Sequence, residues 1–395
     1  MSRQRVVLVF PSATYRAPDF VDAAGRLGAE VVVASEVEQA LAEQMGERAL
    51  HIDLCDPDAA AVAIASREPD AVVAVDDQGV EVAALAAAKL GLPHNPPEAV
   101  RITRDKAAMR RLFTHAGLEQ PPFASVGADD LFPDVGFPCV VKATSLSASR
   151  GVIRADTPDE AKAAVDRVRT IVDDPDVSVL VEGYVPGAEV AVEGLLRDGA
   201  LDVLAIFDKP DPLEGPYFEE TIYVTPSRLS EATETRIAGV VAAGVAAIGL
   251  REGPVHAEAR IDGDRVVLLE AAARSIGGLC SRTLRFGLGM SLEEVILRHA
   301  LGRPLGRFSR EAAAAGVMMV PIPHAGVLHA VGGREAAVEV DGIVGLEITA
   351  TIGKPIRPLP EGDRYLGFLF ARGDSPEGVE AALRAAHREL RIDIR

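Results

Sequence analysis

Glu270-Ala271-Ala272-Ala273-Arg274-Ser275-Ile276-Gly277-Gly278, with Glu258 twelve residues before its first glutamate, decides the fold of this 395-residue chain. Apolar runs on both sides of Asp262-Gly263-Asp264 predict two strands joined by a tight hairpin. Glu258 and Glu270 then lie side by side on neighbouring strands. Two such carboxylates followed by an arginine can hold Mg²⁺ against a nucleoside triphosphate. The alternative, more common for this spacing alone, is a surface hairpin with two unrelated glutamates.

A lysine that ends a strand, followed by a loop of small residues, lies upstream. The strand is Phe137-Pro138-Cys139-Val140-Val141-Lys142, and the loop is Ser145-Leu146-Ser147-Ala148-Ser149-Arg150-Gly151. Loop N–H groups and an ammonium group can both face a phosphate, so this segment is a candidate for phosphate binding. The alternative for a strand-ending lysine is simple solvation.

A third segment begins with the β-branched run of residues 177–181, which predicts a strand. Glu182 closes that strand, and Val185 and Glu189 follow it. A strand that runs into such a segment can present backbone groups to an adenine edge and a carboxylate to ribose hydroxyls. A turn between two strands is the alternative.

In this order, the segments resemble the ATP-grasp superfamily of carboxylate-amine ligases over roughly residues 100 to 300. The resemblance implies a shared nucleotide-binding role for several residues: Lys106, Lys142, Ser149 and Gly151 for the phosphates of ATP, Glu182 and Val185 for adenine, and Glu189 for ribose. It also implies that Glu258 and Glu270 are ligands of Mg²⁺, with two ions expected and Mn²⁺ as an acceptable substitute.

Residue 272 departs from the pattern of the superfamily. Many members have Asn two residues after the second glutamate, where it bridges the metal ions, whereas this chain has Ala272. The run Glu-x-Ala-Ala-Arg followed by Gly-Gly is instead similar to the branch that contains the bacterial L-amino-acid ligases, which form dipeptides. Residues 208–212 and 217–223 are similar to that branch too. The coordination of a second metal ion therefore stays open.

Residues next to the second glutamate are candidates for handling the reacting groups. Arg274 is our candidate for holding the transferred phosphate or a tetrahedral intermediate, and a salt bridge that orders Glu270 is the alternative. Gly277 and Gly278 let the backbone approach an acyl group closely, or they form an ordinary turn. We therefore assign Arg274 a catalytic role and the two glycines a substrate contact.

An amine substrate must react in its unprotonated form, so a carboxylate beside it is expected. Glu219 and Glu220 are the candidates; we assign Glu220 the catalytic role and Glu219 a substrate contact. His256 lies two residues before Glu258 and therefore faces the same side of the strand. It either supports the metal site or is a hydrogen-bonded core histidine.

The resemblance implies an enzyme in which a substrate carboxylate attacks the γ-phosphoryl group of ATP and an amine then displaces phosphate from the acylphosphate. Amino acids are the expected substrates. One alternative is a carboxylase that uses carboxyphosphate, as in biotin carboxylases or the aminoimidazole-ribonucleotide enzymes. The basic strand of biotin carboxylases is absent between residues 205 and 228, and no Val-Glu-His follows Arg274. The second alternative is a non-catalytic ATP-binding sensor. A sensor does not need the complete set of metal-binding and phosphate-binding residues that the sequence contains, and this counts against it.

The composition excludes some classes of partner. The chain has 41 Lys and Arg residues against 59 Asp and Glu residues, and its net charge of −18 argues against nucleic acid or an anionic membrane. Its 3 cysteines follow no metal-ligand pattern, which favours a reducing compartment. We find no signal peptide and no apolar stretch of membrane-spanning length. The sequence therefore predicts a cytoplasmic enzyme of small molecules, and a homodimer stays open.

Strands alternate with helices in the first part of the chain. Strands are predicted at residues 5–10, 29–34, 49–54 and 70–75, with helices such as 19–27 and 80–90 between them. This order predicts a doubly wound parallel sheet, which is Rossmann-like. No G-x-G-x-x-G turn follows the first strand, where residues 11–15 read PSATY, so a dinucleotide site of that type is not expected.

The predicted fold class is mixed α/β and α+β: an ATP-grasp fold with a Rossmann-like N-terminal domain and a C-terminal extension. The predicted domains are residues 1–97, the N-terminal domain; 98–190, a linker helix and the lid over the nucleotide; 191–305, the main catalytic part; and 306–395, the extension. In the extension we predict strands near residues 316–321, 336–340, 343–350 and 366–371, with a final helix at 376–390. This extension is similar to the C-terminal region of biotin-carboxylase-like ligases.

Overall fold

The computed structural model describes residues 3–11, 14–37, 46–128, 130, 132–306 and 308–395. The first part is a parallel sheet of four strands in the order β3-β2-β1-β4. These strands are β1 Arg5–Phe10, β2 Glu30–Ser35, β3 Ala49–His51 and β4 Ala71–Ala74. The helices around them are α1 Ala17–Arg26, α2 Pro57–Ala65 and α3 Val80–Leu90.

The central strand β1 is buried on both faces. Val6 and Leu8 pack with α1, whereas Val7 and Val9 pack with α2 and α3. A parallel strand covered on both faces needs a continuous apolar run, which this segment supplies. The predicted doubly wound parallel sheet is confirmed. In the turn after β1, residues 12 and 13 lie outside the described part of the chain.

Two short helices, α4 Pro97–Thr103 and α5 Lys106–His115, follow this sheet. The sequence predicted one linker helix in this region, and that prediction is wrong because the structure has two. The side chain of Asp105 accepts hydrogen bonds from the N–H groups of Ala107 and Ala108, so it caps a new helix. This cap places Lys106 at the first position of α5.

A small antiparallel sheet with one helix forms what we call the lid. Its strands, in the order β5-β8-β6-β7, are β5 Phe123–Val126, β6 Cys139–Ala143, β7 Val152–Ala155 and β8 Val179–Gly183. The helix is α6 Pro158–Val172, whose Val165 and Val168 pack on Val141 and Val181 of the sheet. The β6–β7 connection contains the predicted phosphate loop.

A sheet of eight strands, in the order β13-β12-β9-β10-β11-β16-β20-β18, is the centre of the molecule. The strands of the second half of the chain, including short ones outside this sheet, are β9 Ala188–Arg197, β10 Ala200–Asp208, β11 Ile222–Thr225, β12 Gly253–Asp262, β13 Arg265–Ala272, β14 Arg285–Phe286, β15 Met290–Ser291, β16 Ala314–Val320, β17 Gly326–Gly332, β18 Ile343–Ile348, β19 Pro355–Ile356, β20 Gly367–Gly373 and β21 Arg391–Ile394. The helices are α7 Glu231–Ile248, α8 Leu292–Ala300, α9 Arg334–Glu339 and α10 Pro376–Glu389.

The central sheet continues across residue 305, where we placed a domain boundary. Strand β11 pairs with β16, and β16 pairs with β20, so strands from both sides of that residue share one sheet. The predicted strand at residues 336–340 is wrong, because this segment forms α9. Its residues Arg334, Glu335 and Ala336 favour a helix, and Ala337 faces the core.

None of the helices in the described residues is long and apolar enough to cross a membrane.

Candidate active site

A deep cleft lies between the lid, the central sheet and the loops that follow the N-terminal strands. Its empty volume, which includes space open to bulk solvent, is about 1540 Å³. It is lined by twelve of the fourteen predicted site residues: Lys106, Lys142, Ser149, Glu182, Val185, Glu189, Glu220, Glu258, Glu270, Arg274, Gly277 and Gly278.

The two glutamates that decide the fold are direct neighbours on β12 and β13. Glu258 pairs with Glu270 in the antiparallel register, so both side chains leave the same face of the sheet. The Oε2 atom of Glu270 lies 3.0 Å from Nζ of Lys106, which also donates to the carbonyl of Leu146 at 2.7 Å. The expected side-by-side placement is confirmed, and the role of the pair as metal ligands stays a prediction.

A buried lysine that the sequence analysis missed, Lys209, lies among three carboxylates of the cleft. Its Nζ atom is 2.7 Å from Oε1 of Glu189 and 3.0 Å from Oε1 of Glu258, and it also contacts Glu220. Burial lowers the pKa of Lys209, but these carboxylates together raise it well above its usual value. Burial, followed by Glu258, raises the pKa of Glu220 to about 7, against the lowering effect of Lys209.

His256 is a hydrogen-bonded core histidine, which is one of the two alternatives that the sequence left open. It is buried, and its Nδ1 atom is hydrogen-bonded to Oε1 of the fully buried Glu193 at 2.7 Å. Its Nε2 atom lies 3.6 Å from Oε1 of Glu258. Burial alone would lower the pKa of His256, but the hydrogen bonds to these two carboxylates raise it to about 9. His256 is therefore a core histidine that lies beside Glu258, and its support of a metal site stays a prediction.

The carboxylate of Glu182 is paired with two cationic side chains of the protein. Nη2 of Arg110 donates to it at 2.8 Å, and Nζ of Lys142 lies 2.6 Å from its other oxygen. Burial would raise the pKa of Glu182, but the two cations lower it to about 2. Burial, followed by the charge of Arg110, lowers the pKa of Lys142. The side chain of Glu182 is therefore paired within the protein, and the contact of its backbone with adenine stays a prediction.

A second buried arginine, Arg260 on β12, holds the segment that we predicted to bind the nucleoside. Its Nη1 atom donates to the carbonyl of Val185 at 2.7 Å, and its Nε atom donates to Oε2 of Glu189 at 2.9 Å. The guanidinium lies 5.1 Å from the ring centre of Tyr184 and 5.7 Å from that of Phe218. This stacking fixes a flat, partly aromatic surface beside Val185.

Arg274 is paired with the N-terminal part of the chain and not with Glu270. Its Nη2 atom lies 3.0 Å from Oδ2 of Asp77, which is in the loop after β4, and its Nη1 atom donates to the carbonyl of Ser275 at 3.0 Å. Burial would lower the pKa of Arg274, but Asp77 raises it. The fully buried Arg16 donates to Oγ of Ser275 at 2.7 Å, so two cations support this turn.

The predicted phosphate loop is a tight turn with unusual backbone angles. Ala148 and Ser149 have φ angles of 56° and 55°, which side chains other than glycine rarely adopt. Such a conformation costs energy, and it often marks a ligand-binding segment. Ser149 lines the cleft, but Gly151 does not, because its N–H group donates to the carbonyl of Pro360 at 2.9 Å.

Two predicted site residues therefore lie outside the lining of the cleft. Gly151 faces the C-terminal region, as just described. Glu219 precedes the lining residue Glu220, and adjacent residues in extended chain point to opposite sides. Burial raises the pKa of Glu219. Its assignment as a substrate contact is not supported by this geometry, whereas Glu220 does face the cleft.

The lid also touches the C-terminal region through the side of α6. Nε of Arg167 donates to Oε1 of Glu361 at 2.7 Å, and its Nη1 atom donates to the hydroxyl of Tyr217 at 2.5 Å. Together with the Gly151–Pro360 hydrogen bond, these contacts connect the lid to residues 360–361 and to Tyr217.

We expect the phosphate loop to become more protected when nucleotide binds. Backbone amides of residues 145–150 should exchange hydrogen more slowly after addition of Mg-ATP, because the phosphates supply partners for their N–H groups. Hydrogen-exchange mass spectrometry measures this effect, with β5 of the same lid as the internal control. Equal exchange with and without Mg-ATP would contradict a phosphate-binding role.

Comparisons with known proteins cover most of the chain. Family models match three regions: the ATP-grasp N-terminal domain at residues 21–94, the ATP-grasp domain at 135–283 and the L-amino acid ligase C-terminal domain 2 at 318–395. An L-amino acid ligase structure from Bacillus licheniformis has a TM-score of 0.82 and 25% identity, with 100% of both chains covered.

Two curated proteins are also similar to the chain in sequence. The alanine–anticapsin ligase of Bacillus subtilis (strain 168) is 25% identical over 255 residues, which is 58% of this chain and 53% of that protein. The formate-dependent phosphoribosylglycinamide formyltransferase of Dechloromonas aromatica (strain RCB) is 28% identical over 388 residues, which is 93% of this chain and 91% of that protein. The chain thus spans about half the length of the alanine–anticapsin ligases that it matches.

Proposed function

Since this chain belongs to the ATP-grasp superfamily, we propose that it is an ATP-dependent carboxylate-amine ligase with amino-acid substrates. It would join a carboxylate to an amine through an acylphosphate and release ADP and phosphate. The observation that carries the proposal is the pairing of Glu258 with Glu270 in the same cleft as Lys106 and Arg274.

The two glutamates suit Mg²⁺, because their carboxylates face one cleft and supply the hard oxygen ligands that this ion prefers. When bound there, Mg²⁺ would neutralise charge on the phosphoryl groups. Ala272 lies opposite His256 and offers no ligand atom, so the structure supplies fewer protein ligands for a second ion than the Asn-containing members have.

The remaining residues position and shield the reacting groups. Lys106 and Lys142 reach the cleft from α5 and the lid, beside the loop that contains Ser149, and they would contact the phosphates. Val185 and Glu189 would contact adenine and ribose, next to the surface built on Arg260. A lid held over the nucleotide would exclude water, which would otherwise hydrolyse the acylphosphate.

The reaction then has two displacements. A carboxylate oxygen of the first substrate attacks the γ-phosphorus, and the bond from that phosphorus to the ADP oxygen breaks. The nitrogen of the amine next attacks the acyl carbon, and phosphate leaves with the electron pair of the broken C–O bond. Arg274 would stabilise the charge that develops on oxygen, and Glu220 would accept the proton that the amine loses.

The proposal predicts a defined stoichiometry. ADP should form only when a suitable carboxylate is present, and ADP and phosphate should appear in equal amounts, because one acylphosphate is consumed for each amide. Hydroxylamine should trap the activated acyl group as a hydroxamate. A screen of amino-acid pairs for phosphate release, with mass spectrometry of the products, measures this directly.

Three outcomes would contradict the proposal. Formation of AMP and pyrophosphate would exclude an acylphosphate mechanism. Turnover that depends on bicarbonate, with no amide formed, would indicate the carboxylase alternative. Nucleotide binding without any substrate-dependent ADP release would indicate a sensor. A cytoplasmic location and a homodimer stay predictions from the sequence.

A further inference from the structure

Beyond Arg274, one end of the cleft is lined by apolar and aromatic side chains, which we call the apolar wall. It consists of Tyr15, Ile276, Cys280, Met319 and Tyr365. Ile276, Cys280 and Met319 have only 1%, 4% and 2% of their surface exposed, and they belong to the main hydrophobic core. The core of the protein therefore reaches the cleft at this end and forms its surface there.

Distant parts of the chain build the apolar wall. Tyr15 follows β1, Ile276 and Cys280 follow β13, and Met319 is in β16. The Sγ atom of Cys280 lies 3.4 Å from Sδ of Met319. The wall therefore combines residues of the N-terminal part, the catalytic part and the C-terminal region, and Ile276, Cys280 and Met319 anchor it in the packed core.

The two tyrosines have a rigid support. The ring centre of Tyr15 lies 5.6 Å from that of Phe368, and the ring centre of Tyr365 lies 6.0 Å from it, both in edge-to-face geometry. Phe368 itself is fully buried in β20. Aromatic pairs of this geometry are stable, and the tyrosine rings are therefore held in position at the cleft.

The apolar wall contains no charged side chain, and the charged groups nearest in the cleft are already paired, Arg274 with Asp77 and Glu220 with Lys209. A charged substrate side chain placed against the wall would lose water without gaining an opposite charge among the wall residues, which is costly. An apolar side chain there would gain from burial.

We infer that the apolar wall receives the side chain of the carboxylate substrate, and that this substrate is an α-amino acid with an apolar or aromatic side chain. The inference rests on the proposed function. The wall flanks the segment from Arg274 to Gly278, directly after Glu270. A carboxylate that reaches the phosphoryl group held by that segment brings its own side chain against Ile276 and Cys280.

The first half-reaction tests this inference without an amine substrate. With ATP, Mg²⁺ and hydroxylamine, each amino acid that is activated gives a hydroxamate. We expect kcat/KM for leucine, methionine and phenylalanine to exceed the values for glutamate and lysine by at least about tenfold, because a buried unpartnered charge costs at least that factor. Equal or better activation of glutamate or lysine would overturn the inference.

Variants of Tyr365 show whether the wall sets this preference. Tyr365→Ala should raise KM for phenylalanine and leucine by about 10-fold or more, and it should change the values for alanine by less than about threefold, because alanine makes little contact with the ring. Tyr365→Phe keeps the ring and should restore the preference. Phe137→Ala removes a half-exposed ring elsewhere and should leave the preference unchanged. An equal loss for every amino acid would contradict the role of the wall.

Two further measurements keep the inference testable. If Tyr365→Ala does not fold, which thermal unfolding reveals, Tyr15→Ala removes the other ring of the pair. If no amino acid gives a hydroxamate, the proposed function fails. In that case, leucine, phenylalanine, glutamate and lysine are each titrated into the enzyme with Mg-ADP in a calorimeter. Their affinities test the preference of the apolar wall separately from catalysis. Tighter binding of the apolar amino acids supports it, and tighter binding of the charged ones, or binding of none of them, overturns it.

Discussion

A Glu270→Gln variant is expected to fold and to lose at least about 100-fold of its turnover. Residues that only support a metal ligand already cost about 10–100-fold when changed, so the loss of a ligand charge should cost more. The fold should persist, because a glutamine at this position can still accept a hydrogen bond from Lys106, the present partner of Glu270. The amide cannot replace the negative charge that Mg²⁺ requires.

Metal binding and turnover are measured separately for this variant. Electron paramagnetic resonance of Mn²⁺ with ADP should show weaker binding to Glu270→Gln than to the unchanged protein. Asp264→Asn is the matched control, because Asp264 is exposed in the turn between the same two strands. Full turnover with unaltered Mn²⁺ affinity in Glu270→Gln would exclude Glu270 as a metal ligand.

Glu182→Gln is expected to reduce the free energy of unfolding by about 3–5 kcal/mol, the usual effect of removing one partner from a buried ion pair. Glu182 is buried between Arg110 and Lys142, and both cations would be left in the interior without their counter-charge. The variant should therefore unfold at a lower denaturant concentration. Glu119→Gln is the control, because Glu119 pairs with Arg265 at the surface, where such pairs contribute about 0–1 kcal/mol.

The effect of Glu182 should depend on pH in a defined direction. Its pKa in the folded protein is about 2, below the value of about 4.3 for an unfolded chain. The ionised carboxylate therefore stabilises the fold above about pH 4.3, and this stabilisation is lost as the pH falls toward 2. Denaturant unfolding at several pH values should show the difference between the two proteins shrinking in that window. A constant difference would exclude the ion pair as its cause.

Local sequence patterns predicted those parts of the site that depend on neighbouring residues. Glu258 and Glu270 are joined by a hairpin, so the turn signal between them was enough to place them side by side. The alternation of strands with helices was likewise enough to predict the parallel strands of the first sheet. The strand predicted at residues 336–340 was wrong, because a short apolar segment with one buried side chain fits either a strand or a helix.

The partners of the site residues could not be predicted, because each comes from a distant part of the chain. Arg110 reaches Glu182 across 72 positions, and Arg260 reaches Glu189 across 71. Asp77 holds Arg274 from the other side of the cleft. Only the packing of separate layers brings these groups together. Lys209 had one local signal, its place after a strand, but nothing in the sequence marked it as buried.

The contacts between the lid and residues 360–361 have a consequence for how fast the lid can move. Apart from the hydrogen bond of Gly151 to Pro360, they include the ion pair of Arg167 with Glu361, whose side chains are 42% and 35% exposed. Exposed pairs of this kind contribute about 0–1 kcal/mol, so little free energy opposes their separation. Rigid-body motions in which a lid moves away from the rest of a protein occur in microseconds to milliseconds. Opening of the lid by such a motion would let a bound nucleotide exchange between turnovers without any unfolding of the lid's own core.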